Sequence, residues 1–118
     1  MHAHAKTDER NLEMHRVIAR ILRADPSSLG RVREQMESRL ADPGYSESLK
    51  DCVREWLAIV GGGLDRVLEV LDDTGEEGCR LRQNTPFALL MPQDERVRIL
   101  KQFAQHEPVR ARTHSPGL

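Results

Sequence analysis

Aromatic residues are scarce in this chain, which has one Trp, one Tyr and two Phe among its 118 residues. A core built from this sequence must therefore rely on aliphatic side chains, and Trp56 is expected near its centre. Both phenylalanines, Phe87 and Phe103, fall in one segment towards the carboxy-terminal end. The length suits one domain with one hydrophobic core and is too short for two.

Cysteine is also rare, and the two residues present, Cys52 and Cys79, have neither Cys-x-x-Cys spacing nor a cluster of histidines around them. This pattern favours free thiols in a reducing cytoplasm over a disulfide. The amino-terminal segment lacks the apolar core of a signal peptide, and no apolar run is long enough to cross a bilayer. We therefore expect a soluble cytoplasmic protein that makes no use of a membrane.

No catalytic, cofactor-binding or metal-binding signature is present in the sequence. His15 and His106 have no nucleophile or carboxylate at catalytic spacing, so we expect neither an enzyme nor a cofactor. His2 and His4 lack further ligands nearby, which argues against a metal site. The three glycines at 61–63 lack the lysine and the preceding strand of a phosphate loop, and a tight connection between two helices is their expected role.

The charge is nearly balanced over the whole chain, with 18 Lys and Arg against 19 Asp and Glu. This balance gives no general attraction to nucleic acid or to an anionic membrane. The distribution is uneven, because residues 61–79 carry one basic and six acidic side chains, whereas residues 80–118 carry seven basic and three acidic. Arg16, Arg20 and Arg23 share one face of the first predicted helix, a pattern typical of a solvated face and less often of a phosphate-binding one.

Apolar residues recur at helical spacing along the chain, and no alternating strand pattern competes with them. We predict an all-α single domain of five or six short helices that spans residues 8–104. Residues 1–7 are predicted to form a flexible leader and residues 105–118 a flexible tail.

Capping residues and prolines predict where the helices begin and end. The first helix is expected to begin at Thr7 or Asp8 and to end before Pro26. Thr74 and Glu77 have the spacing of a capping box that would start the fifth helix. We expect helices one, three, four and six to supply the core, and the second, with its narrow apolar stripe, to be peripheral. The side chains expected in the core are Ile18, Leu22, Val53, Trp56, Leu57, Leu68, Leu71, Leu100 and Phe103.

The segment 81–103 is the strongest candidate for recognition. Its residues 87–91, here called the apolar connector, join two predicted helices, and Pro92 opens the second of these. Loops usually lie on the surface and are polar, so such a connector either fills the domain's own core or meets a partner. We expect Phe87 to face inward and Leu89 to Met91 to face outward. The predicted partner-binding residues are Arg82, Phe87, Leu89, Leu90, Met91 and Arg96, with the two arginines at the rim.

The last predicted helix has apolar residues over an unusually wide arc, formed by Val97, Ile99, Leu100 and Phe103. An arc of this width can serve two contacts.

Residues 80–103, RLRQNTPFALLMPQDERVRILKQF, resemble the carboxy-terminal signature of small all-helical bacterial proteins associated with toxin–antitoxin loci, and the tails of some helix-turn-helix regulators. Residues 14–37 look like the first two helices of the same proteins. Leu90 and Met91 depart from the pattern, which usually has a small residue and a capping Thr or Ser there, and Val97 stands where an aromatic residue is common. The matching residues are Leu81, Arg82, Gln83, Pro86, Phe87, Pro92, Glu95, Arg96, Ile99, Leu100 and Phe103.

The resemblance implies a protein-binding module of antitoxin or accessory-regulator type, which binds and neutralises a partner protein such as a toxin. The apolar connector, beside charge blocks of opposite sign, agrees with this interpretation. The alternative is a nucleic-acid-binding transcriptional helper, against which the balanced net charge and the absence of an obvious recognition helix both count. The basic residues of that alternative are Arg80, Arg82, Arg96, Arg98, Lys101, Arg110 and Arg112.

Overall fold

The computed structural model describes the backbone of residues 2–105 and the side chains of residues 8–104. Within this part of the chain the structure is entirely helical and contains no strand, which confirms the predicted all-α fold. A short 3₁₀ turn, Phe87–Leu90, separates the last two helices. The helices are α1 (His2–Ala24), α2 (Ser28–Ala41), α3 (Glu47–Gly61), α4 (Leu64–Leu71), α5 (Glu76–Arg82) and α6 (Gln93–Gln105).

Helix α1 is the central element of the fold. It packs against α2, α4, α5, α6 and the 3₁₀ turn, while α3 packs against α2 and α4. The buried stripe of α1 recurs at helical spacing, so one face of the helix is apolar over its second half. Burying each large aliphatic side chain stabilises the fold by about 1.5–3 kcal/mol. The buried α1 side chains in this stripe are Val17, Ile18, Ala19 and Leu22.

The core follows the predicted stripes of α1, α3 and α4 and departs from them at α2 and α6. Val32 and Met36 of α2 are fully buried, so this helix contributes to the core although its stripe is narrow. In α6 the expected core residue Leu100 is exposed, and its neighbour Ile99 is fully buried instead. Of the other expected core residues, Ile18, Leu22, Val53, Trp56 and Leu71 are buried, and Leu57, Leu68 and Phe103 are half-buried.

Two predicted helix boundaries differ from the observed ones. Helix α1 begins at His2 and not at Thr7 or Asp8, because nothing in the preceding residues interrupts a helix. Helix α5 begins after Gly75, and no capping box forms between Thr74 and Glu77. The flexibility of residues 1–7 stays a prediction, and the tail predicted at 105–118 lies outside the described residues from 106 onward.

The glycine run between α3 and α4 has the predicted connecting role. Gly63 has the positive φ of 97°, a backbone conformation that glycine adopts without the steric cost imposed by a Cβ atom. This residue turns the chain directly from α3 into α4, which packs back on α3. Among residues 2–105, no helix combines the length and the apolar character needed to cross a membrane.

Candidate partner-binding surface

The apolar connector is anchored in the core by its first residue, Phe87. The Phe87 N–H donates to Thr85 Oγ1 at 3.0 Å, which fixes the entry into the 3₁₀ turn. The fully buried Phe87 ring meets the Trp56 ring nearly edge-on, with 5.4 Å between ring centroids and 70° between planes. Trp56 in turn donates from Nε1 to the Leu81 carbonyl at 3.1 Å. The predicted inward position of Phe87 is therefore confirmed.

The predicted outward position of Leu90 and Met91 is wrong, since both side chains are buried. The 3₁₀ geometry explains Leu90, because three residues per turn place it on the same side as Phe87. The Met91 N–H donates to the Ala88 carbonyl at 3.1 Å, and its side chain also packs in the core. Leu89 is half-buried. Most of the connector therefore fills the domain's own core.

The predicted rim position of Arg82 is also wrong, because this side chain is only 2% exposed. One terminal nitrogen of its guanidinium donates to the carbonyls of Val70, Leu71 and Asp73 at 3.2, 3.3 and 2.7 Å. Val70 and Leu71 belong to the last turn of α4, where a helix leaves acceptors without partners inside that helix, and Asp73 follows the end of α4. A cation there also complements the negative end of the helix dipole. Arg82 therefore joins α5 to the end of α4.

Arg96 lies beside the connector and is half-buried. Its guanidinium donates to the Ala88 carbonyl at 3.4 Å, so it contacts the backbone of the 3₁₀ turn from α6. Of the six predicted partner-binding residues, only Leu89 and Arg96 keep part of their side chains at the surface.

The basic block that supports the nucleic-acid alternative is largely occupied by internal contacts. Arg80 donates to Glu55 at 2.5 Å and also to Glu77, and these two carboxylates raise the pKa of Arg80. Arg98 binds Glu95 at 2.8 Å. Lys101 is exposed, while Arg110 and Arg112 lie outside the described residues.

A different exposed surface lies on α6 and was not among the predicted site residues. Val97 and Leu100 are 38% and 41% exposed, and Phe103, one turn further on, is half-buried. These three residues, here called the α6 strip, recur every three residues along one side of the helix. Ile99 holds α6 in the core on another side. The wide apolar arc of the sequence was the signal for this second surface.

No group of three or more His, Cys, Asp or Glu side chains that could hold a metal ion occurs in the part of the chain that the structure describes. Comparison of the chain with protein-family models, with curated protein sequences and with solved structures gave no match.

Proposed function

We propose that this chain is a protein-binding module of antitoxin or accessory-regulator type, and that its α6 strip contacts the partner it neutralises. The observation that carries the proposal is the exposure of two large apolar side chains, Val97 and Leu100, one turn apart on one helix. Single exposed apolar residues are common on protein surfaces, whereas adjacent ones favour an interaction site.

The position of the strip on a helix favours one mode of recognition. Anchors spaced three or four residues apart are typical of a helix that lays its apolar face in a groove of another protein. Phe103 extends the strip at the same spacing, and aromatic side chains often dominate the energy of such contacts. Lys101 is exposed on the same helix, so we expect a groove with acidic side chains at its rim.

The resemblance described above supports a toxin as the class of partner. Several of the residues that carry it, among them Arg96, Ile99, Leu100 and Phe103, lie on α6. Ile99 and Arg96 fix the helix to the domain, and Leu100 and Phe103 belong to the α6 strip. Nucleic-acid binding has less support, because the described arginines of the basic block mostly bind carboxylates or backbone carbonyls.

The test uses the protein encoded next to this chain's gene and compares Leu100→Ser with Leu49→Ser. Both leucines are 41% exposed, but Leu49 lies on a different helix, α3. We expect Leu100→Ser to weaken binding about tenfold or more, since an interface anchor contributes more than about 1.4 kcal/mol. Leu49→Ser should bind as the wild type does, by isothermal titration calorimetry. Equal effects of the two substitutions would exclude the α6 strip, and no binding by the wild type would refute the proposed class of partner.

A further inference from the structure

A groove of about 380 Å³ lies between α1 and the end of α4. Arg16, Arg20 and Arg23 line it from α1, at spacings of four and three residues that place them along one face. Leu71 and Asp72, at the end of α4, complete this part of the lining. Sites for small molecules commonly have volumes of about 300–1,000 Å³, so the groove is large enough for an organic ligand.

Two of the arginines in the groove are free to bind an anion. Arg20 and Arg23 are exposed, and neither makes an ion pair or hydrogen bond with another described residue. Arg16 lies 3.6 Å from Glu13, which is beyond ordinary hydrogen-bond distance. Four other exposed arginines, Arg54, Arg66, Arg80 and Arg98, each pair with a carboxylate three residues away. Arg31 and Arg33 of α2 are exposed and, like Arg20 and Arg23, make no ion pair with a described residue.

Buried polar groups lie behind the arginines. His15 lines the groove and is only 3% exposed, and its Nδ1 lies 2.7 Å from the Asn11 carbonyl, an arrangement in which Nδ1 carries the proton. Its Nε2 is then an acceptor, and it has no partner within residues 8–104. The buried guanidinium of Arg82 is close enough to lower the pKa of His15, so it adds positive potential on this side of the domain.

We propose that this groove binds a small organic phosphate, with the phosphate on Arg20 and Arg23. Two guanidinium groups one turn apart can hold phosphate oxygens with several charge-assisted hydrogen bonds. The Asp72 carboxylate repels the phosphate and accepts hydrogen bonds, so it orients hydroxyl or amino groups of the ligand towards itself. Ala19 and Leu71 line the groove between these two ends, but both side chains are buried and offer the carbon skeleton little contact area. A nucleoside monophosphate carries both a phosphate and such hydroxyl or amino groups.

The test is a titration of the full chain with adenosine 5′-monophosphate, followed by amide resonances in nuclear magnetic resonance spectra. We expect saturable shifts centred on Ala19, Arg20, Arg23, Leu71 and Asp72. Adenosine and inorganic phosphate are titrated separately, and each should bind more weakly than the nucleotide. If either binds as tightly as the nucleotide, the two-ended recognition is wrong.

Charge-matched double variants separate this site from general attraction to a basic surface. Arg20→Gln with Arg23→Gln should weaken nucleotide binding about tenfold or more, because two charge-assisted contacts are lost. Arg31→Gln with Arg33→Gln removes the same charge from exposed positions of α2 that do not line the groove, and should leave binding unchanged. Circular dichroism checks that both variants stay folded. Equal weakening in the two variants, or no saturable shift in the wild type, would refute the proposal.

Discussion

Arg82 and His15 are the two residues whose buried polar groups most constrain this fold. Arg82 Nε, a donor, and His15 Nε2, an acceptor, are the buried side-chain atoms without a hydrogen-bond partner among the described residues. The two groups are complementary, and the Arg82 charge acts on His15. Neither role could be predicted from the sequence, because α1, α4 and α5 meet here only after folding. In the sequence, Arg82 is only one of several arginines in the basic block of residues 80–118.

We predict that Arg82→Met destabilises the domain by about 2–4 kcal/mol, because it leaves the carbonyls of Leu71 and Asp73 without a donor among the described residues. The Val70 carbonyl keeps the Asp73 N–H as a donor. Arg82→Lys should recover only part of this loss, since an ammonium cannot reproduce the planar fork of guanidinium donors. Urea-induced unfolding measures the change. Arg96→Met is the control, because Arg96 makes one longer hydrogen bond from a half-buried position. Similar losses in Arg82→Met and Arg96→Met would contradict the capping role of Arg82.

Because His15 is buried, we expect the free energy of unfolding of the domain to decrease in acid. Burial and, to a smaller extent, the charge of Arg82 lower the pKa of His15 from 6.5 to about 4, only partly opposed by the hydrogen bond to Asn11. The unfolded chain therefore binds a proton near pH 6.5 that the folded chain does not bind until about pH 4. The resulting stability is fully present above pH 6.5 and falls as the pH decreases towards 4, by about 3 kcal/mol in all.

His15→Gln tests this prediction by removing the titrating group. Urea unfolding of the variant between pH 7 and pH 4 should show a smaller loss of stability than the wild type. Parallel pH profiles for the two proteins would show that His15 does not titrate with the lowered pKa.

The elements differ in how far the sequence determines them. Helices α1, α3 and α4 follow broad apolar stripes, so periodicity predicts both their existence and their buried faces. Periodicity could not choose between Ile99 and Leu100, because adjacent positions of a wide arc both satisfy it and only packing against α1 decides. The prediction for the connector was wrong for a related reason. It assumed an outward-facing loop, whereas the connector forms a 3₁₀ turn that places Leu90 on the same side as Phe87.

Helix α5 packs so closely on the turn before it that Gly78 cannot carry a side chain. A Cβ atom at Gly78 would lie 2.3 Å from the Asp73 carbonyl oxygen. This carbonyl is held in place by its hydrogen bond from Arg82. We expect Gly78→Ala to destabilise the domain by about 1–3 kcal/mol through this overlap.

The matched control is Gly30→Ala, in the exposed part of α2. A Cβ atom there meets nothing within 4 Å, so the gain in helix propensity should stabilise the domain by up to about 1 kcal/mol. Thermal unfolding followed by circular dichroism compares the two variants. A stabilising effect of Gly78→Ala would show that α5 does not approach the preceding turn this closely.

At the scale of the whole molecule, the single tryptophan and most of the apolar connector belong to one buried cluster with the apolar stripe of α1. The all-α class follows from the sequence, because apolar spacing is helical throughout and no strand pattern competes. The division of apolar residues between core and surface does not follow from the sequence. Both the connector and α6 carry several large apolar residues, and their spacing alone does not decide which of them are buried. The structure assigns the connector to the core and leaves the α6 strip exposed. The proposed partner surface depends on this division.

One comparison of melting temperatures tests most directly whether the connector is buried and the α6 strip is exposed. Leu90→Ser with Met91→Ser is set against Val97→Ser with Leu100→Ser, two pairs of large apolar side chains that the structure buries and exposes respectively. We expect the first double variant to lose more than about 3 kcal/mol, a large part of the stability of an ordinary domain, with a sharply lowered melting temperature. The second should change stability by less than about 1 kcal/mol. Equal melting temperatures, or a larger loss in the second variant, would contradict both the buried connector and the free α6 strip.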